Sequence, residues 1–415
     1  MSDMSRPTKK LGSWLRRHSL TLVAALGGAA GVAYAAGWHT PSTARATAVT
    51  TTAIAVAPTP PAAAVRDEVQ DTVQIALILD TSSSMDGLIN QARSHLWKMV
   101  DDMGKMTRVV NGKTRGVKIE LALYEYGNQT LAESTGFIRQ VLPLTSDLDK
   151  VSEQLHGLFT NGGSEFAGQA IETAVGSLQW SSDPAAMRFV FLAGNEGFDQ
   201  GPVPAAKAMQ AAAGKDINVQ LIYCGDKDPT WEAAAKLAMS DLVTIDQNHV
   251  AQHIASPQDD EILRLGNELN GTYIAYGSEG RASVERQAKA DASSSKMSKK
   301  VALERAQLKG KKAYRNDSWD LVDAVDKDST FLEKAADDKL PTELRGKTLA
   351  EKQQLVATNA AKRAELQSKI AKLEAERTAF VEAERKKQGG AVVQSLETEL
   401  MKTTKKVATK KGYKP

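Results

Sequence analysis

The chain has 415 residues, 42% of them apolar, 25% charged and only 5% aromatic, with a formal net charge of +3. That length and apolar content allow two or three domains with at least one large core, and exclude a wholly disordered chain. The single cysteine, Cys224, excludes a disulfide framework, a zinc ribbon and a CxxC redox pair within one chain. The small total hides an asymmetry. Residues 1–65 carry 6 basic and 1 acidic side chains, residues 66–280 carry 16 and 29, and residues 281–415 carry 31 and 20. The middle is therefore acidic and the tail basic.

Arg6, Lys9, Lys10, Arg16 and Arg17 precede an uncharged run from Ser19 to Trp38 that contains Leu20, Leu22, Val23, Leu26 and Val32 and the triplet Ala33-Tyr34-Ala35. A positive start, an apolar core and an A-x-A pattern predict a bacterial signal peptide over residues 1–38. The run is also close to the length that spans a bilayer, so an uncleaved anchor with its basic end in the cytoplasm is the alternative. Both predict an exported protein, periplasmic or anchored in the inner membrane. Residues 39–70, mostly Ala, Thr and Pro, read as an extended linker.

A domain follows over residues 71–280. Val73 to Leu79 (VQIALIL) is a mostly aliphatic run, as expected of a strand buried on both faces. It stops at Asp80-Thr81-Ser82-Ser83-Ser84, after which Leu88, Ile89, Ala92, Leu96 and Met99 repeat with helical spacing. Strand-like runs recur at Val117 to Tyr126, Arg188 to Ala193 and Ile217 to Tyr223, and helical Ala-rich stretches at Pro204 to Ala213 and Trp231 to Met239. The alternation predicts an α/β fold, a doubly wound and mostly parallel sheet covered by helices on both faces. Ligands of such sheets bind beyond the carboxyl ends of the strands, where the Asp80 loop lies.

In D-x-S-x-S, one carboxylate and two hydroxyls spaced two apart along a turn can converge on a hard divalent cation. The competing reading is a helix N-cap turn in which Asp80, Ser82 and Ser84 satisfy free backbone N–H groups. The position of the motif, after a buried strand and before a helix, favours the metal. Over roughly Asp71 to Gly280 the chain resembles the von Willebrand factor A domain family, and Asp80, Ser82 and Ser84 resemble its metal-ion-dependent adhesion site. The resemblance implies a Rossmann-like domain that binds a partner protein through Mg²⁺, or Mn²⁺ or Ca²⁺, with an acidic side chain of the partner completing the coordination.

The family's second loop corresponds to Asn161-Gly162-Gly163-Ser164-Glu165, where the resemblance makes Ser164 the matching hydroxyl. The third loop departs from the family's Thr-Asp-Gly. Here the chain reads Ala193-Gly194-Asn195-Glu196-Gly197, so the expected carboxylate is missing or displaced. Asn195 or Glu196 would take its place with an offset of one or two residues, and Asp199 is a more distant candidate. AGNEGFDQGP, with the later YCGD and LNGTYIAYG, resembles a bacterial subgroup of the family that has this altered loop and a long charged helical tail.

Other chemistry has weaker support. His249 and His253 stand four apart, but Val250 occupies the place of the Glu in HExxH, so they read as ordinary histidines near a helix start. Cys224 ends a strand with no identifiable His partner and reads as a small packed residue. No G-x-G-x-x-G or Walker loop occurs, and the acidic balance disfavours nucleic acid. Asp80, Glu165 and Glu196 could converge on a metal for hydrolysis, yet nothing dictates an activated water, and no enzyme activity is expected.

Residues 281–415 read as a charged helical tail. Leu366, Ile370, Leu373 and Phe380 form a coiled-coil-like seam, interrupted at Arg377 and, further upstream, at Lys352, Asn359 and Arg363. The seam predicts a helical hairpin or self-association. The aromatic-bearing stretch Tyr314 to Val322 reads as a docking site or as an anchor that fixes the arm on the acidic domain. The chain as a whole reads as an exported, non-catalytic binding protein. The alternatives are an envelope scaffold without metal and a metal-dependent hydrolase.

Overall fold

The computed structural model describes residues 70–246, 248, 253–387 and 396–414. The signal or anchor segment, almost all of the linker, and His249 lie outside the described residues. Among the described residues no helix is long and apolar enough to cross a membrane.

The aliphatic run builds β1 (Asp71–Asp80), and the helical spacing after it builds α1 (Asp86–Gly104). A hairpin, β2 (Thr107–Val110) and β3 (Lys113–Arg115), leads into β4 (Val117–Tyr126) and β5 (Ile138–Thr145). Then come α2 (Leu148–Gly157), α3 (Ala167–Ser177), β6 (Met187–Gly194), α4 (Ala205–Ala213), β7 (Asn218–Tyr223), α5 (Pro229–Leu237) and β8 (Val243–Thr244). The main sheet has the order β5-β4-β1-β6-β7-β8. All its pairs are parallel except β4–β5, so the mostly parallel α/β sheet expected from the alternation is present.

β1 is central because its side chains are apolar on both faces. Val73, Ile75, Leu77 and Leu79 join one core with Leu88, Leu96 and Val100 of α1. Ala76 and Ile78 join the other with Ala170 and Ile171 of α3 and Ala208 and Ala212 of α4. This is the two-residue periodicity of a strand read out on two faces. Since β4 and β6 flank β1 on opposite sides, the loops after β1 and β6 diverge and leave a crevice at the carboxyl end of the sheet.

The chain continues through α6 (Asp259–Asn270), α7 (Gly280–Met297), α8 (Lys299–Lys309), α9 (Leu321–Lys327), α10 (Phe331–Lys334), α11 (Leu349–Lys387), α12 (Leu396–Lys410) and β9 (Tyr413–Lys414). Helical content matches the expectation for the tail, but its packing departs from a free arm. α7 packs on α2, α8 and α12 pack on α1, and α11 packs on α6, so Gly280 does not mark a break in the packing. The seam residues Leu366 and Ile370 are buried against Leu265 and Leu269 of α6. Leu366 and Ile370 are thus covered within the chain, with Leu373 partly buried beside them. Arg363, an interruption in the seam, is buried and bridges Asp320 (2.8 Å) and Asp323 (3.0 Å) while lying over the Tyr273 ring at 4.1 Å. At the far end β9 pairs antiparallel with β2, and Lys411 reaches Asp216 at 2.8 Å.

The opposite charges of the two halves meet in named pairs. Lys311 holds Asp101 (2.7 Å), Arg377 holds Asp259 (2.8 Å) and Arg305 holds Asp149 (2.7 Å). Arg305 is enclosed, with its guanidinium 4.4 Å from the Trp97 ring centre and 4.7 Å from that of Tyr314. Tyr314 donates its hydroxyl to Asp149 at 2.5 Å, so the aromatic stretch anchors the helical region on α2. Removing one partner of such a pair strands the other charge away from water. Arg305→Ala is therefore expected to cost about 3–5 kcal/mol of stability in urea unfolding. Lys289→Ala, which breaks the exposed 3.5 Å pair with Glu153, should cost less than about 1 kcal/mol.

Candidate metal centre

Asp80 is the last residue of β1 and lies beside Tyr126 of β4, with Leu79 beside Ala193 of β6. Strand register thus places its carboxyl at the mouth of the crevice, where it is fully buried. Oδ1 accepts from the Ser82 backbone N–H at 2.7 Å, while Oδ2 is buried with no fixed donor paired to it, and the Glu165 carboxyl lies within reach to share a proton with Asp80. An orphaned carboxylate oxygen inside a protein is costly unless a cation or proton satisfies it.

The motif turn does not cap α1. That helix begins after Met85 with no side-chain cap, so the N-cap reading of Asp80, Ser82 and Ser84 does not hold. The turn is instead sewn to the second loop. Ser83 donates its backbone N–H to Gly162 O at 2.8 Å, Gly162 N–H returns to Ser83 Oγ at 2.8 Å, and Asn161 N–H reaches Thr81 O at 3.0 Å. These bonds leave Ser82 and Ser84 facing the crevice with their Oγ atoms 3.5 Å apart.

In the second loop Gly162 takes φ +65°, a left-handed turn that suits glycine. Beyond it the loop delivers Glu165 to the crevice rather than Ser164. Glu165 is buried and lines the cleft with Ser82 and Ser84, whereas Ser164 is half-buried and is not in the lining. A Cβ on Gly163 would lie 3.3 Å from Glu165 Oε1 and 3.5 Å from Ser82 Cβ, which locates the Glu165 carboxyl over the serine.

The third loop leaves β6 at Gly194. A Cβ there would meet the Tyr126 hydroxyl at 2.1 Å and Asp80 Oδ2 at 3.2 Å. Asn195 is half-buried and donates its amide to Ser84 Oγ at 3.0 Å, orienting that hydroxyl. Glu196 is exposed at the cleft rim, its carbonyl accepting from Trp231 Nε1 at 2.6 Å. Asp199 is exposed and is not in the lining. The structure places Ser82, Ser84 and Glu196 in one cleft lining, with Asp80 buried behind it, and leaves Asn195 Oδ1 buried without a hydrogen-bond partner; Tyr126 and Gln200 join this surround without having been singled out in the sequence. Strand register with Asp80 would have pointed to Tyr126.

The cleft, of about 420 Å³, is lined by no lysine or arginine. Burial raises the Asp80 carboxyl above the usual carboxylate range, and burial together with the Asp80 charge raises Glu165. Two adjacent carboxyls in a dry recess cannot both ionise without a countercharge. Beneath them Cys224 is buried, its thiol pushed up by burial and by the same two acids. His253 lies elsewhere, 3.0 Å from Asp259 Oδ2. Among the described residues no group of three or more His, Cys, Asp or Glu side chains is arranged to hold a metal. Any cation at this cleft therefore depends on hydroxyls as much as on carboxylates, a donor set suited to hard ions.

Residues 74–258 match the family model of the von Willebrand factor type A domain. That part of the chain is similar to a von Willebrand factor type A domain. No curated protein matches the chain. Among solved structures it is similar to proximal thread matrix protein 1 from the mussel byssus with a zinc-occupied MIDAS motif, at 12% identity and a TM-score of 0.32, over 42% of this chain and 41% of that one. An aerotolerance-related membrane protein from Bacteroides fragilis is similar at 17% identity and a TM-score of 0.30, over 42% of this chain and 93% of that one. A von Willebrand factor type A protein from Catenulispora acidiphila is similar at 19% identity and a TM-score of 0.32, over 42% and 39%. The chain thus spans about two fifths of the length of the mussel protein.

The packing around Gly194 makes a direct prediction for residues 74–258. Gly194→Ala drives a methyl into the Tyr126 hydroxyl, and overpacking of this kind costs about 1–3 kcal/mol. Gly176→Ala, where nothing lies within 4 Å in α3, should be neutral or stabilising by up to about 1 kcal/mol. Urea unfolding of the two variants beside the parent checks both signs.

Proposed function

We propose that the chain is an exported or inner-membrane-anchored protein whose von Willebrand factor A domain holds a divalent cation and uses it to bind a partner protein. The fully buried Oδ2 of Asp80, with no donor paired to it, lying behind a cleft lined by Ser82, Ser84 and Glu165 and by no basic residue, carries this reading. Asp80 would supply charge, and Ser82 and Ser84 neutral oxygens. Mg²⁺ is the first candidate, with Mn²⁺ or Ca²⁺ as alternatives of the same oxygen preference.

When bound, the cation supplies a positive centre to which an oxygen of the partner, such as a carboxylate, is attracted. The chain's own residues do the rest. Asn195 orients Ser84, and the bonds between Ser83 and Gly162 fix the two loops relative to each other. Phe159, 56% exposed beside the second loop, offers an apolar contact to whatever docks there. The basic helical region fixes the domain rather than completing the cleft, and the cell envelope is where an exported chain would meet its partner.

A cation that binds only the folded state stabilises it, by about 2.7 kcal/mol at a hundredfold excess over Kd. Saturating Mg²⁺ or Mn²⁺ should therefore raise the thermal midpoint of the parent protein, EDTA should reverse the rise, and Asp80→Asn should abolish it. With a partner in hand, the same chelator and the same substitution should release the complex. A midpoint indifferent to both ions would remove the metal from the function.

A further inference from the structure

Resting on the metal-dependent reading above, we infer that Glu165, not a residue of the third loop, supplies the second carboxylate of the cation site. The third loop brings one carboxylate, Glu196, to the cleft, and only at its exposed rim. Gly194 carries no side chain, and the Tyr126 hydroxyl lies 2.1 Å from where its Cβ would be. Asn195 gives its amide N–H to Ser84 and offers only a neutral oxygen, Oδ1, which is left without a partner, and Glu196 stands exposed at the rim.

The second loop is built to make up the deficit. Glu165 is 4% exposed, and its backbone N–H is held by Gln200 Oε1 at 3.2 Å. Its side chain shares one space with the Asp80 carboxyl. A Cβ at Gly127 would lie 2.8 Å from Asp80 Oδ1 and 2.9 Å from Glu165 Cγ, and Gly127 stands at φ +79°. Gly127, Gly163 and Gly194 therefore clear a cradle around two carboxyls and the Ser82 hydroxyl, and the unpartnered Asp80 Oδ2 is part of it. Burying two like-charged groups side by side is unfavourable unless a cation lies between or beside them. With both ionised, a divalent ion is neutralised by the protein alone, so the partner oxygen of the reading above is drawn to an open coordination position rather than to a net positive charge.

Mn²⁺ titration by calorimetry of the parent, Asp80→Asn, Glu165→Gln, Glu165→Asp and Glu196→Gln tests the assignment on the full chain. Glu165→Gln is expected to weaken Mn²⁺ at least tenfold, while its metal-free thermal midpoint is no lower than the parent's. Glu165→Asp, with the charge kept on a shorter stem, should fall between the two. If Glu165→Gln does not fold, the Glu165→Asp affinity alone decides, since an unchanged value would overturn the assignment. Parent-like affinity in Glu165→Gln with loss in Asp80→Asn would overturn the role of Glu165 and keep the metal site. A tenfold loss in Glu196→Gln alone would move the second carboxylate to the third loop and equally overturn it. No Mn²⁺ binding by the parent would take away both the assignment and the reading beneath it.

Discussion

Asp80 and Glu165 bury two carboxyl groups side by side at the end of the central strand, and among the described residues no lysine or arginine lines the adjoining cleft. Proteins seldom bury an acid without a partner, and burying a pair raises the cost further. The glycines around the pair, the orphaned Asp80 oxygen and the serine hydroxyls all make sense once a hard cation is the missing countercharge. Proton sharing between the two acids, or the cation proposed above, would relieve the same strain.

The remainder of the fold holds that recess still. β1 is buried on both faces and flanked by parallel strands, so the register of Asp80 against Tyr126 cannot slip without turning its aliphatic side chains to the wrong core. Below it, α1 is held from outside by α8 and α12, and the Arg305 cluster ties α8 to α2 and to Trp97 of α1. The helical region thus serves as a brace for the helix that follows the motif loop. A buried ion pair of this type gives little net stability over an apolar substitute, but it fixes one arrangement of the helices, since any other leaves charges unpaired.

What could be read from the sequence divides along the range of the interactions involved. The strand at Val73 to Leu79, the motif turn and the parallel alternation are local patterns, and the structure has them. Arg363 and the Leu366–Ile370 seam were misjudged because their partners, Asp320, Thr272, Leu265 and Leu269, lie roughly 40 to 100 residues away, and an apolar stripe does not say what covers it. The break between α7 and α8 turns on Ser298, extended at φ −171° and capping Val301 N–H, a backbone choice within an otherwise continuous helical composition. The choice between Ser164 and Glu165 as the cleft residue has a similar cause. Both follow two glycines, and only the left-handed turn at Gly162 decides which side chain enters the cleft.

The most direct test of the account is anomalous diffraction at the manganese edge from crystals of the full chain grown with Mn²⁺. The account predicts a single strong peak in the cleft, with oxygens of Asp80, Ser82, Ser84 and Glu165 in the coordination or water-bridged shell around it. A cleft without that peak at saturating Mn²⁺, with the Asp80 and Glu165 carboxyls sharing a hydrogen bond between themselves, would contradict it.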